Sequence, residues 1–260
     1  MSECLKYEEP GPFCLEHAII SHNIDFVTFL MNEYHVEIEF AHCIFEYCGL
    51  YNNLESFLVV FDKTIDVKKA FVTSAMFNIP SLCEYFLSHG VNINDKDGFG
   101  HTALHLAAKR NKKEMVELLI SHGVDINEKD NDGQTALHHA AGSNKKEMVE
   151  LLISHGVDIN EKDNDGQTAL HHAAGSNKKE MVELLISHGA NINEKDNDGQ
   201  TALHQTIRFH CRETAEVLLS HGANVNEKNG CGETALDLTT QENDEEIAKL
   251  LISHGANINE

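Results

Sequence analysis

NKKEMVELLISHGVDINEKDNDGQTALHHAAGSNKKEMVELLISHG, residues 111–156, recurs letter for letter at residues 144–189 and decides the fold of this chain. The two copies are displaced by 33 residues. A fixed period of about 20 to 50 residues is typical of stacked supersecondary units, each of which contacts only its neighbours. The sequence therefore predicts a solenoid and not a domain built around one central core.

The same period continues on both sides of the identical copies. Thr-Ala-Leu recurs five times, beginning at residues 102, 135, 168, 201 and 234. The histidine of Ser-His-Gly recurs six times, at residues 89, 122, 155, 188, 221 and 254. These spacings predict a degenerate repeat at 65–96 and five full repeats, at 97–129, 130–162, 163–195, 196–228 and 229–260.

Each repeat contains the signals for two short helices. In the second full repeat, Asp130–Gly133 has the composition of a tight hairpin loop. Thr135 is placed to cap a first helix that ends near Gly142. The pair Asn144 and Glu147 has the spacing of a capping box, which predicts that Asn144 opens a second helix. Each unit is thus helix, turn, helix and loop, and the predicted fold class is all-α.

These residues resemble the ankyrin repeat, whose signature Thr-Pro-Leu-His-x-Ala appears here as Thr135–Ala140, with alanine in place of proline. The closing phrase of that family, Gly-Ala-Asp-Val-Asn, appears as Gly123–Asn127 and Gly222–Asn226. The resemblance covers about residues 65–260. It implies an ankyrin-repeat solenoid of stacked helical hairpins with short β-hairpin loops, and a protein-binding surface on the concave side formed by the hairpin loops and first helices.

Residues 1 to about 96 are rich in aromatic side chains and lack the turn signature of the repeats, and within them we predict residues 1–64 to be a divergent helical capping domain. It resembles an uncharacterised helical domain that precedes ankyrin arrays in large protozoan protein families. Asn23, Asn53 and Asn78 each precede an apolar segment, which predicts the second helices of divergent hairpins. Aromatic residues such as Phe71 and Phe86 are expected to fill a core, because aromatic side chains supply large buried areas; an aromatic recognition surface is the alternative.

Composition excludes several classes of function. The formal net charge is −22, so a phosphate backbone would be repelled and nucleic acid is not an expected partner. The longest wholly apolar run, Phe57–Phe61, is too short to cross a bilayer, and the acidic start of the chain has no features of a signal peptide. The seven cysteines form no paired motif, so we expect reduced thiols and a cytoplasmic protein, with the nucleus as the alternative.

The sequence shows no set of catalytic residues, and we predict neither an enzyme nor a cofactor. Histidine is abundant, with 18 residues, which raises the question of a metal site. Ten of them belong to the repeated Thr-Ala-Leu-His and Ser-His-Gly phrases, where the imidazole is expected to form local hydrogen bonds. Equivalent positions on stacked helices lie about 8 to 10 Å apart, too far for ligands of one ion, so no metal site is predicted.

The resemblance to ankyrin repeats implies a protein partner, which the acidity of the chain predicts to have a basic surface. The candidate partner-binding residues occupy variable positions of the loops and first helices: Phe99, His101, Arg110, Gln134, His139, Gln167, His172, Gln205, Arg208 and Phe209. Aromatic and arginine side chains are enriched among binding hot spots. The alternative function is self-association as a homodimer through the N-terminal region or the C-terminal end.

Overall fold

The computed structural model describes residues 12–33, 41–64 and 66–258. In these residues the chain is helical, with one isolated antiparallel bridge between Lys228 and Thr234 and a 3-10 turn at Ala75–Phe77. The helices α1 to α16 span, in order, Pro12–Ile20, Ile24–Glu33, Ala41–Leu50, Leu54–Thr64, Val67–Ser74, Pro80–Ser88, Ala103–Lys109, Lys113–Ser121, Ala136–Gly142, Lys146–Ser154, Ala169–Gly175, Lys179–Ser187, Ala202–Arg208, Arg212–Ser220, Ala235–Glu242 and Glu245–Ser253. The predicted all-α class is confirmed.

The chain forms two compact units, Met1–Asp125 and Ile126–Glu260. These units are not the sequence repeats, so the predicted domain boundaries stay predictions. The acidic segment at residues 1–11 lies outside the described residues, as do Cys4 and the side chain of Cys43.

The C-terminal unit consists of four helical hairpins. Their first helices pack in sequence, α9 against α11, α11 against α13 and α13 against α15, and of the second helices α12 packs against α14 and α14 against α16. Ala140 and Ala173 are fully buried where first helices approach one another, while Leu137 and Leu152 fill the space inside the hairpin and are at most 1% exposed. Burial of these apolar side chains between neighbours stabilises helices that are too short to be stable alone.

A threonine and a histidine fix the start of four first helices, α7, α9, α11 and α13, whereas in α15 Asp237 takes the place of the histidine. The backbone N–H of Thr135, the N-cap of α9, donates to Nδ1 of His138 at 3.1 Å. Since Nδ1 accepts, the proton is on Nε2, which donates to the carbonyl of Gln167 in the next repeat at 3.2 Å. The expectation that the signature histidines form local hydrogen bonds is confirmed. The same arrangement occurs at Thr168 with His171.

The predicted capping box at the second helix is wrong. Asn144 has φ of +56°, in the left-handed region, and the N-cap of α10 is Lys145, whose side chain makes no capping hydrogen bond. Asparagine tolerates the left-handed conformation better than most residues, and here it reverses the chain between the two helices instead of capping the second. Gly156, which follows α10, is also in the left-handed region, with φ of +82°.

Neighbouring repeats are joined by hydrogen bonds that repeat every 33 residues. The Lys162 ammonium donates to the carbonyl of Lys195 at 2.7 Å and pairs with the Glu194 carboxylate at 2.7 Å. At the loop tips, the amide of Asn164 donates to the carbonyl of Asn131 at 2.8 Å. These contacts hold successive hairpin loops in fixed positions and so make the loop face of the unit rigid.

The N-terminal unit contains hairpins of the same kind. Asn23 and Asn53 accept backbone hydrogen bonds that cap α2 and α4, from Phe26 at 3.1 Å and from Ser56 at 3.0 Å. Asn78 instead has φ of +56° and lies before α6. The predicted second helices are therefore present, although the three asparagines have two different roles.

Aromatic side chains fill the core of the N-terminal unit as predicted. Phe71 and Phe86 are at most 1% exposed, and their ring centroids lie 6.3 Å apart. Phe57 contacts Phe45 and Phe77 edge to face, at 5.4 Å and 5.1 Å between centroids. Within this unit α3 packs on α5 and α5 on α7, so the divergent hairpins continue the stacking of the regular repeats.

Candidate partner-binding groove

Four hairpin loops of the array are held by an aspartate at the first position, and the last loop is held by the amide oxygen of Asn229 in the same way. In the third full repeat, Oδ1 of the buried Asp163 accepts the backbone N–H groups of Asp165 at 3.0 Å and Gln167 at 2.8 Å. The residues equivalent to Asp163 form the same bonds in the flanking loops: Asp130 and Asp196. The loop therefore presents its side chains from a backbone with little freedom.

The second carboxylate oxygen holds a side chain of the first helix. Nε2 of His172 on α11 lies 2.8 Å from Oδ2 of Asp163. Burial opposes ionisation of Asp163, but its hydrogen bonds to His172 and to the backbone of Gln167 hold the pKa of this carboxyl below its ordinary value. Two further pairs are equivalent: His139 with Asp130, and Gln205 with Asp196.

A second histidine lies behind this pair. The ring of His138 packs edge to face against His172, with 5.5 Å between centroids. Burial, and secondarily the nearby His172, lowers the pKa of His138 to about 4, so this imidazole is neutral at physiological pH. It is an internal hydrogen-bonding group and offers no acid–base function to the surface.

A groove of about 350 Å³ opens on the face formed by the loops and first helices, between the third and fourth full repeats. Eight residues line it: Gln167, His171, His172, Gly175, Ser176, Gln205, Arg208 and Phe209. Gly175 has no side chain to fill the groove, and a Cβ atom there would lie 3.1 Å from the Phe209 ring. The ring is 55% exposed and forms an apolar wall. We call this site the Arg208 groove.

Arg208 is the cation of this groove and has no ion-pair partner among the described residues. Its guanidinium carbon lies 5.9 Å from the centroid of the Phe209 ring. Arg212, by contrast, pairs with Glu246 at 3.1 Å. Arg208 also lines an adjoining cavity of about 130 Å³ with Gln200, Leu238 and Glu242.

The structure brings together half of the ten candidate residues. Five of them line the Arg208 groove: Gln167, His172, Gln205, Arg208 and Phe209. Gln134 and His139 belong to the preceding repeat of the same unit, where His139 is held by its aspartate. The other three belong to the N-terminal unit: Phe99, 46% exposed, His101, whose ring lies 5.8 Å from that of Phe99, and the half-buried Arg110.

Ser176 lines the groove but is not among the ten candidates, and three further residues at the site were not recognised from the sequence. Gly175 forms the floor of the groove, His171 lines it, and Gln200 presents a buried Oε1 without a hydrogen-bond partner in the adjoining cavity. The role of Gly175 was detectable in principle. Gly175 lies 33 residues before Arg208, and Phe209, the residue after Arg208, is the only phenylalanine at its position in the five full repeats. The other two resemble ordinary repeat residues in sequence.

Comparison with known families agrees with this architecture. The profile of ankyrin repeats in three copies matches residues 71–163 and 156–229, and a profile of ankyrin repeats in many copies matches residues 207–252. This chain belongs to the ankyrin repeat family. Residues 1–60 match a domain of unknown function, DUF3447, which confirms a distinct domain before the ankyrin array. No curated protein matched the chain.

Membership of this family has a general functional consequence. Ankyrin repeats are protein–protein interaction modules and are typically non-enzymatic. Among the described residues, no helix of this ankyrin protein is long and apolar enough to cross a membrane.

Proposed function

We propose that this ankyrin protein is a non-enzymatic scaffold that binds a partner protein through the face formed by its hairpin loops and first helices. The observation that carries the proposal is the Arg208 groove, in which five of the ten candidate residues line one cavity. Exposed Phe209 and Arg208 stand at its edge. Phenylalanine and arginine side chains of this kind are common anchors in protein interfaces.

The rigidity of the loop face supports binding of a folded or extended partner. The loop carboxylates and the hydrogen bonds between repeats fix the backbone in the absence of a partner, so little conformational entropy is lost on association. The net charge of −22 favours approach of a partner with a basic surface. We propose a cytoplasmic or nuclear location, which is consistent with free buried thiols such as Cys48 and Cys83, whose pKa values burial raises to about 12 and about 11.

The test is a quantitative pull-down with two surface variants. Arg208→Ala with Phe209→Ala removes the guanidinium and the apolar wall of the groove, and the expected result is loss of the specifically bound partner. The control is Arg212→Ala with Ile252→Ala, which removes an arginine and an apolar residue from the second helices α14 and α16, both exposed. Equal recovery of the same partner by both variants would show that the loop face is not the binding surface.

Self-association is the second proposed function, and one observation favours it. In the N-terminal unit, Phe29 on α2 and Leu58 on α4 are 41% and 47% exposed, and these two helices pack together. Apolar side chains on adjoining helices are the kind of surface that a second copy can cover. Light scattering over a range of concentrations tests this: a dimer that Phe29→Ser with Leu58→Ser abolishes supports it, and a constant monomer mass contradicts it.

A further inference from the structure

The guanidinium of Arg208 is a cation without an ion pair among the described residues, although the Glu242 carboxylate lines the adjoining cavity with it. Of the other ionisable groups that line the Arg208 groove, His172 is held by Asp163 at 2.8 Å, and the pKa of the buried His171 is lowered by desolvation, so His171 is neutral. In a chain with an overall negative charge, this groove is therefore a local site for an anion.

The shape of the groove limits what the anion belongs to. A volume of about 350 Å³ is at the lower end of the range for ligand pockets. It is too small for an α-helix, whose diameter with side chains is about 10 to 12 Å. The Phe209 ring supplies an apolar wall beside the guanidinium, so the ligand needs an apolar group next to its negative charge. A short extended segment of polypeptide has both.

The adjoining cavity adds a requirement for a hydrogen-bond donor. Gln200 lines this cavity, its Oε1 atom is buried and accepts no hydrogen bond, and Arg208 lines both spaces. A buried acceptor without a partner is costly, and a donor from a ligand removes that cost. Backbone N–H groups of an extended peptide are donors of this kind.

We propose that the Arg208 groove binds a short extended segment of the partner protein in which one aspartate or glutamate adjoins an apolar residue. The carboxylate accepts hydrogen bonds from the guanidinium of Arg208, the apolar side chain packs on Phe209, and a backbone N–H donates to Oε1 of Gln200. This inference rests on the proposed function, since it specifies the chemistry of a partner bound at the loop face.

A single carboxylate fits this site better than an acidic tract. Screening at physiological ionic strength limits electrostatic interactions to about 8 Å, so a carboxylate in the groove interacts mainly with Arg208. Further acidic residues would lie against the exposed loop-tip carboxylates Asp165 and Asp198 and be repelled. The carboxylates of Asp165 and Asp198 would attract basic residues of the partner on either side of the bound carboxylate. A segment with one acidic residue is therefore consistent with a partner whose surface is basic.

A peptide library displayed on phage tests the inference on the full chain. The library is selected separately against the unchanged protein, Arg208→Glu and the matched control Arg212→Glu, which reverses an arginine on α14 outside the groove. We expect the unchanged protein and the control to enrich peptides with one acidic residue beside an apolar one. Reversal of the groove charge is expected to enrich lysine or arginine at that position instead.

The enriched peptide then gives a quantitative test. A charge-assisted hydrogen bond contributes roughly 1.5 to 3 kcal/mol, so Arg208→Ala, or replacement of the peptide acid by its amide, should weaken binding about 10- to 100-fold. Thermal denaturation checks that the variants are folded, which is expected because Arg208 is exposed.

The outcomes separate the two proposals. Two results overturn the carboxylate inference but not binding at the loop face. In the first, peptides bind through Phe209 without preference for an acidic residue; in the second, Arg208→Ala does not reduce their affinity. Failure to enrich any Arg208-dependent peptide also overturns the carboxylate inference. Peptides whose binding is unaffected by substitution of Arg208, Phe209 and His172 contradict both proposals.

Discussion

The buried histidine of the repeat signature makes the stability of the array depend on pH. His138 is 2% exposed, and burial lowers its pKa from 6.5 to about 4 in the folded protein. The unfolded chain therefore binds more protons between these two values. The stability that comes from burying neutral His138 is fully present above about pH 6.5 and is lost as the pH falls toward 4.

The size of the effect follows from the two pKa values. Between pH 7.5 and pH 5.5, preferential protonation of the unfolded state at this one site should lower the free energy of unfolding by about 1.4 kcal/mol. Both pH values of this comparison lie above the isoelectric point, about 5.1, where solubility is lowest. Two other buried signature histidines, His171 and His204, have pKa values lowered by burial and act in the same direction.

The assay is urea denaturation of the unchanged protein and His138→Gln at both pH values. Glutamine does not titrate here, and its side-chain oxygen can still accept from the N–H of Thr135. The loss of stability between pH 7.5 and pH 5.5 should be smaller by about 1.4 kcal/mol in the variant. His155→Gln, which removes an exposed imidazole from the surface, is the matched control. Identical pH dependence of the unchanged protein and His138→Gln would refute the reasoning.

Four further substitutions test the packing of the array and of the groove. Leu137→Ala should lower the free energy of unfolding by about 2 to 5 kcal/mol through cavity formation, and an unchanged denaturation midpoint would contradict the packing. Lys162→Ala removes a charge-assisted bond between repeats and should cost about 1 to 2 kcal/mol, against less than about 0.5 kcal/mol for the exposed Lys179→Ala. Gly142→Ala meets no atom within 4 Å and should be neutral or stabilising by up to about 1 kcal/mol. Gly175→Ala, its counterpart in the next repeat, should displace the phenylalanine ring and weaken groove binding in a peptide titration; equal binding by both glycine variants would exclude that contact.

The period of 33 residues was sufficient to predict the fold. Each repeat has the same local sequence signals. The helices predicted for one repeat therefore apply to the others, including those that follow Thr135 and Thr168. The error at Asn144 has a local cause, since asparagine is favoured both as a helix cap and in the left-handed conformation. The sequence pattern did not separate these two roles, whereas the backbone φ of +56° does.

The candidate groove was less predictable because it depends on contacts between repeats. Arg208 and Phe209 were recognisable as departures from the duplicated pattern. That the Phe209 ring lies over Gly175, 34 positions earlier, depends on how the third and fourth full repeats stack. Gln200 was not distinguishable at all, since its buried oxygen becomes unusual only when the surrounding side chains are in place.

Site-specific photo-crosslinking tests the central claim most directly. Phe209 on the groove and Ile252 on the second helix α16 are exposed apolar residues, at 55% and 42%. Each is replaced by benzoylphenylalanine in the full chain, and extracts of the cells that make the protein are irradiated. We expect the probe at position 209 to crosslink one discrete partner. The same crosslink should be absent with the probe at position 252 and should disappear in the Arg208→Ala variant. A partner crosslinked from position 252 and not from position 209 would contradict binding at the loop face.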